Sequence, residues 1–409
     1  MRRTALYGSM RVRVVAAAAS ALLFVGSGSS ATAAAEPQDA TLGYRADARA
    51  DSFVAGATAA PPFKKLWSRD LGSVVSAPVA VGGRVFAVVN ADQGGEGGPR
   101  MQLVGLDAAS GKDLWPQKFL TGEPNATVTY GGGLLYTQTG GGKVSAWDPA
   151  TGALKWTTSL GGSPFCQYPP TWYGDVLYTQ DGRGKAVALR AGTGQRLWEA
   201  PLVENGFAPV VVDEAGVWVG FDNLAYQLLD RNSGRELRRF DVPDMSGPGG
   251  NPAVLGAGAL WLRNSFSDDS NAVAYDRTTG SVLRSLPADA TPAFGTGRVY
   301  IANRGVVRAL NTTDYRTVWS YSSPRRAATV RLVAGGYVYV QDGNGELVVL
   351  NEKTGAKAWS YRLADEPHPM ENVIAEQDWR GWTVPGIATA RGRLFAPAQG
   401  GLLIGFGKA

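Results

Sequence analysis

The chain of 409 residues has one cysteine, Cys166, and one histidine, His368. A single cysteine excludes any disulfide within the chain. It also lies far from the start, so no acylated cysteine anchor is expected at the N-terminus. A single histidine leaves little room for imidazole chemistry. No G-x-S-x-G stretch offers a nucleophile elbow. Past residue 35 no segment approaches the ~18 unbroken apolar residues of a membrane-spanning helix. Charge is scarce too, at 18% of residues, and the net value is +5. Arg2, Arg3, Arg11 and Arg13 stand among the first 35 residues without one acid, so the remainder carries only +1. A nearly neutral body has no bulk charge for nucleic acid or anionic lipid.

The first 35 residues combine those arginines with an apolar run from Val14 to Val25 and small-residue cleavage options at Ala31-Thr32-Ala33 or Ala33-Ala34-Ala35. This is the composition of a secretory signal peptide, with Arg2-Arg3 leaving twin-arginine export open beside the general route. A secreted, extracellular protein without a lipid anchor is expected. Residues 36–62 are rich in Ala, Asp and Arg without periodicity, and are expected to be a flexible linker.

Glycine, in contrast, is abundant at 54 residues, and it recurs in register. LDAASGKDLW ends at Trp115, WDPATGALKW at Trp156, LRAGTGQRLW at Trp198, LNTTDYRTVW at Trp319 and LNEKTGAKAW at Trp359; LDRNSGRELR and YDRTTGSVLR end instead at Arg238 and Arg284. The shared pattern, D-x-x-T-G-x-x-x-W, reads as strand, tight turn, strand. Asp148 accepts hydrogen bonds from turn N–H groups and Thr151 assists. Gly152 supplies the positive φ of a three-residue hairpin loop. Where Asp314-Tyr315 replaces Thr-Gly, an altered turn is expected. The Trp147-Asp148 pair is a coincidence, since other copies carry Leu or Tyr at the first position.

A second element, glycine followed by a short apolar run, recurs at Gly83, Gly133, Gly174, Gly216, Gly258, Gly297, Gly336 and Gly392. Four short strands repeated about every 43 residues over 63–409 predict a β-propeller. The prediction is all-β: eight blades of four antiparallel strands. FKKLWSRDL at 63–71 is the orphan strand that joins the C-terminal blade and closes the ring. Trp67, Trp115, Trp156, Trp198, Trp319 and Trp359 then occupy one position, wedged between blades, while Arg238 and Arg284 make two seams more polar. Gly131-Gly132-Gly133 and Gly140-Gly141-Gly142 read as hairpin turns rather than phosphate loops.

These residues carry a family resemblance. D-x-x-T-G-x-x-x-W preceded by G-x-V-Y-V resembles the pyrroloquinoline-quinone (PQQ) enzyme repeat of quinoprotein alcohol dehydrogenases and of outer-membrane assembly lipoproteins of the BamB kind, both eight-bladed. The resemblance covers 63–409 and implies the fold; the repeat residues build blades and do not bind the quinone. It also brings PQQ and Ca²⁺ into view as cofactors. The dehydrogenases hold their metal through Glu, Asn and Asp, use an Asp base, commonly carry a disulfide of adjacent cysteines, and in the soluble glucose-oxidising type use a His base. This chain has one Cys, no acidic cluster at matching spacing and only His368, so no cofactor is expected. The missing cysteine anchor also sets it apart from the assembly lipoproteins.

Function therefore falls to loops. Residues 90–102, 263–272 and 364–384 exceed the repeat's norm. The last joins His368 and Asp378 with Trp379 and Trp382, a mixture suited to a cationic peptide or a glycan; packing of the two tryptophans onto blade eight is the competing reading. Asp268 and Asp269, with Ser270 and Asn271, could offer oxygen ligands to Ca²⁺ or form a solvated turn. Cys166 is expected to be a buried, inert thiol, the other course being a disulfide-linked dimer. The expectation is a monomeric, non-enzymatic binding or scaffold propeller that recognises a protein or glycan outside the cell through loops on one face. The alternatives are a PQQ-dependent oxidoreductase acting on an alcohol or sugar, and a carbohydrate-binding or sensory protein.

Overall fold

A computed structural model describes residues 37–409 except 91–100, 122, 162–168, 204–208, 221–224, 243–252, 264–269, 325–326, 344, 364–385 and 399–400. Among these residues every regular element longer than a turn is a strand. Blades 2 to 7 span 123–159, 171–201, 211–241, 254–287, 293–322 and 328–362, each with four consecutive strands paired antiparallel in chain order. Blade 1 is built on Val79–Val81, Arg84–Asn90, Met101–Asp107 and Lys118–Leu120. Blade 8 takes three strands from the C-terminus, Ala388–Ala390, Arg393–Ala398 and Leu402–Lys408, and its outer strand, Phe63–Asp70, from the other end of the chain. The register runs from Phe63 opposite Lys408 to Asp70 opposite Leu402. The ring is closed as the sequence predicts.

First strands are more buried than fourth strands, those of blades 1, 4, 7 and 8 throughout, while fourth strands expose alternate residues, so the first strands line the axis and the fourth face solvent. Antiparallel order then places the turns between strands one and two, and between three and four, on one rim. Second-to-third connections and the links between blades leave from the other rim.

The core is distributed as eight apolar clusters, each drawing on two adjacent blades. The repeat motif supplies the joint at each seam. In the third-to-fourth turns, Asp148 accepts from the N–H groups of Ala150 and Thr151 at 2.8 and 3.1 Å, and Asp107, Asp230 and Asp276 do the same in their turns. These bonds hold carboxyls below their ordinary range, Asp107 and Asp230 chiefly through a serine hydroxyl and Asp276 through the Thr279 N–H. Gly152 has φ 65° and Gly194 72°. The same glycines leave room for the tryptophan of the preceding blade: a Cβ on Gly152 would lie 2.6 Å from Trp115, and one on Gly194 2.4 Å from Trp156. The indole N–H then donates into that turn, Trp67 to Ala108 O, Trp115 to Pro149 O, Trp156 to Ala191 O, Trp198 to Arg231 O and Trp319 to Glu352 O, at 2.9–3.3 Å. Trp359, facing blade 8, donates to Phe63 O of the closing strand at 3.0 Å.

Two seams lack the tryptophan, and the structure shows how they are filled. Arg238 donates to Thr278 O of the next turn, replacing the indole bond. Phe240, two residues on, lies against Gly280. Arg284 stacks over the Tyr315 ring at 4.9 Å. In these two blades the second-strand aromatic is Trp218 or Trp261, where the others carry Phe86, Tyr136, Tyr178, Tyr300, Tyr339 or Phe395. The large ring has moved from the fourth strand to the second. The turn at Asp314-Tyr315 is not altered as expected: Tyr315 takes φ 59° itself and its N–H donates to Asn311 O at 2.8 Å, the bond that glycine makes elsewhere.

One expectation needs correction. Residues 37–62 are not a free linker but a collar seated in the ring. Ala40, Thr41, Ala46, Ala50, Ser52, Val54 and Ala59 are buried there, and Phe53–Val54 pairs in parallel with the first strand of blade 7. Low hydropathy predicts solvation only where no partner offers backbone bonds, and here the ring offers them.

Candidate axial site

The collar circles the axis once, at the rim of the first-to-second turns. At the position two before the two-residue turn, each first strand points an N–H inward. Those of Ala80, Tyr130, Val212, Leu255, Phe294 and Val333 donate to the carbonyls of Thr41, Leu42, Ala48, Arg49, Asp51 and Ser52 at 2.7–3.0 Å. Thr389 N–H donates to Thr41 Oγ1 at 3.0 Å. Blades 1, 2, 4, 5, 6, 7 and 8 thus each grip the collar. Thr58 closes it, donating from N–H and hydroxyl to the Asp39 carboxylate at 3.2 and 2.5 Å. Arg45 reaches across to Pro292 O at 2.6 Å and Ala50 O at 2.9 Å.

Blade 3 is the exception. Between Leu42 and Ala48 the collar turns on itself, with Leu42 N–H donating to Ala46 O at 2.8 Å, and leaves a cavity of ≈ 360 Å³ against Trp172 and Tyr173. Beyond it lies a polar cluster. Tyr173 Oη donates to Glu214 at 3.2 Å, Arg231 stacks over the Tyr173 ring at 5.0 Å, and Arg49 stands 3.8 Å from Glu214. Burial, and then the Glu214 charge, hold the Tyr173 phenol above its ordinary value. Arg277 pairs with Asp213 and lies over Trp218 at 5.5 Å.

Asp51 is buried in the collar and accepts from Phe53 N–H at 2.9 Å. Burial first, and then the charge of Asp47, push its carboxyl up to about 8, against the opposing pull of Arg49 and Arg45. A raised carboxyl favours the folded state fully below its unfolded value of 3.8, and that contribution is lost as pH rises toward 8. Hydrogen-exchange protection of residues 40–54, corrected for intrinsic rates, is therefore expected to fall between about pH 5 and pH 8. Asp51→Asn should flatten the profile; a flat profile in the unmodified protein contradicts this assignment.

His368, Asp378, Trp379 and Trp382, together with Asp268, Asp269 and Cys166, lie outside the described residues. Of the candidate Ca²⁺ group, Ser270 and Asn271 are described: Ser270 is buried, donates to Ala288 O and accepts from Arg263, and Asn271 opens the third strand of blade 5, opposite Pro287. Among the described residues no three His, Cys, Asp or Glu side chains converge on a point that could hold a metal. No described helix is long and apolar enough to cross a membrane. The collar gave no signal in the sequence, because its residues are fixed by the ring and not by a period of their own. Arg45, Ala46, Ala50 and Ser52 all take positive φ, which no pattern of side chains would suggest.

The family model described as outer membrane protein assembly factor BamB matches residues 54–210 and 224–405. The chain is 30% identical over 104 residues to the assembly factor BamB of Escherichia coli K12, a match covering 23% of this chain and 26% of that relative's length. Its fold is similar to the crystal structure of BamB from Moraxella catarrhalis, with TM-score 0.57 and 18% identity over 85% of this chain and 98% of that one. It is also similar to a quinohemoprotein alcohol dehydrogenase from Pseudomonas putida HK5, with TM-score 0.64 and 11% identity over 90% and 80% of the two chains.

Proposed function

Because this chain belongs to the outer membrane protein assembly factor BamB family, we propose that it is an exported, non-catalytic scaffold that binds a partner outside the cytoplasm. What supports this reading is the use made of the repeat: its Asp, Gly and Trp residues are all engaged in turns and seams, which leaves a rigid ring whose variable parts are connections. Recognition is assigned to the rim from which the second-to-third connections and blade links leave, with His368, Asp378, Trp379 and Trp382 in the longest link and Asp268 and Asp269 in the blade 5 connection. The protein acts as a monomer, is exported by its signal peptide, and needs neither PQQ nor Ca²⁺.

Two measurements test the proposal. After incubation with PQQ and Ca²⁺ and gel filtration, the protein should retain no quinone absorbance and should not reduce an artificial electron acceptor with an alcohol or sugar. Retention with turnover would show a dehydrogenase instead. The Trp379→Ala/Trp382→Ala double variant should lose crosslinking to its partner by about tenfold or more while melting at the parent temperature. A fall in melting temperature would show that the two tryptophans pack on blade 8, and a glycan-array signal without any protein crosslink would favour the carbohydrate reading.

A further inference from the structure

The gap in the collar at blade 3 has the form of a vacant seat. Trp172 stands opposite Leu177 in its blade, as Ala80 stands opposite Val85 and Val212 opposite Val217 in theirs. It is the equivalent inward-facing position. In the other seven blades that N–H meets an oxygen of the collar; at Trp172 it meets no acceptor among the described residues. The indole Nε1 of the same residue is buried and also has no partner. A buried indole donor left open costs more than its hydrogen bond is worth when made, unless an occupant supplies the oxygen. The ring face of Trp172 is pinned by the Gly131 backbone, where a Cβ would lie 2.1 Å from the indole, so the donors are held in place.

We propose that the cavity bounded by Tyr44, Asp47, Ala48, Arg49, Trp172 and Tyr173 binds an extended peptide segment of a partner, whose backbone carbonyl accepts from Trp172. The collar itself shows what fits. At blade 1 it exchanges two bonds with the first strand, Ala80 N–H to Thr41 O at 2.9 Å and Thr41 N–H to Ala80 O at 3.2 Å. A peptide adding to the first strand of blade 3 repeats that exchange, a short case of strand addition to a sheet edge. At ≈ 360 Å³ the cavity is at the small end of ligand pockets and holds about two or three residues. Arg49, exposed at its margin, offers a positive charge to the polar end of such a segment. The site lies at the rim opposite the long connections and stands independently of the role proposed for them.

The test uses the full-length protein labelled with ¹⁵N-tryptophan and the probe acetyl-Ala-Val-Ala-amide, with maltose in a parallel titration. The Trp172 indole signal is identified by its loss in Trp172→Phe. The peptide should move that signal saturably, and maltose should not. By calorimetry, Trp172→Phe, which keeps the ring and the backbone donor, should weaken binding by about threefold to tenfold. Ala48→Phe, which fills the cavity, should weaken it by about tenfold or more; should that variant fail to melt cooperatively, Trp172→Phe decides. No saturable shift with the peptide overturns the proposal, as does unchanged affinity in Trp172→Phe. A response to maltose alone identifies a sugar site and overturns it equally.

Discussion

Trp198→Ala is expected to destabilise the ring by about 3–5 kcal/mol in urea titrations, the cost of truncating a large buried aromatic. Trp198 is buried, packs at a tilt against Tyr178 with ring centroids 6.0 Å apart, and donates to Arg231 O at 2.9 Å in the next blade. Its removal empties the seam and leaves Arg231 O with only the longer bond from Tyr178 Oη, at 3.3 Å. Leu197, its neighbour on the same strand, points outward and is 39% exposed, so Leu197→Ala should change stability by no more than about 0.5 kcal/mol. Gly234→Ala attacks the same joint from the other blade. Gly234 has φ 71°, and a Cβ there would lie 2.6 Å from Trp198, so the cost combines a left-handed non-glycine residue with overpacking, roughly 2–4 kcal/mol. In the double variant the clash has no partner left. The combined loss should therefore be less than the sum of the two, and strict additivity would show that the residues do not meet as described.

Much of this architecture was legible in the chain because the joint is local in sequence and repeated. A glycine that must take positive φ, an aspartate that must accept turn N–H groups and a tryptophan four residues on are each dictated by short-range physics, and seven copies in register leave few folds. Closure was legible for a related reason: Trp67 stood in an orphan copy of the fourth strand, and the C-terminus lacked one. The two tryptophan-free seams were less readable. Arg238 and Arg284 announced a change, but the compensation at Trp218 and Trp261 lies on a different strand, visible only once Trp218 is seen to stack with Phe240 at 5.9 Å.

The collar was illegible in principle. Asp47, Asp51 and Arg45 in an alanine-rich stretch have the composition of a solvated chain. What holds them is a circle of inward N–H groups contributed by seven distant blades, and no window of sequence contains that information. The vacant position at Trp172 was hidden for the same reason, since it is defined only by comparison with its equivalents around the axis. The candidate rim residues stand out by insertion length and by their mixture of acids, histidine and tryptophan, which marks where the ring can vary and says nothing of geometry.

The central claim is that the two ends of the chain share one sheet and that this locks all eight seams. Without Phe63–Asp70, blade 8 loses its outer strand, blade 1 loses the Trp67 indole from Gly111 and Ala108, and Trp359 loses its acceptor at Phe63. Three chains separate this from the role of the collar: residues 37–409, 61–409 and 72–409. Thermal unfolding is the measurement. The chain from 61 should keep a cooperative transition, whereas the chain from 72 should melt roughly 10 °C or more below it and over a broader range, since several kcal/mol are lost at two seams together. Equal melting temperatures for the chains from 61 and from 72 would contradict closure of the ring by this strand.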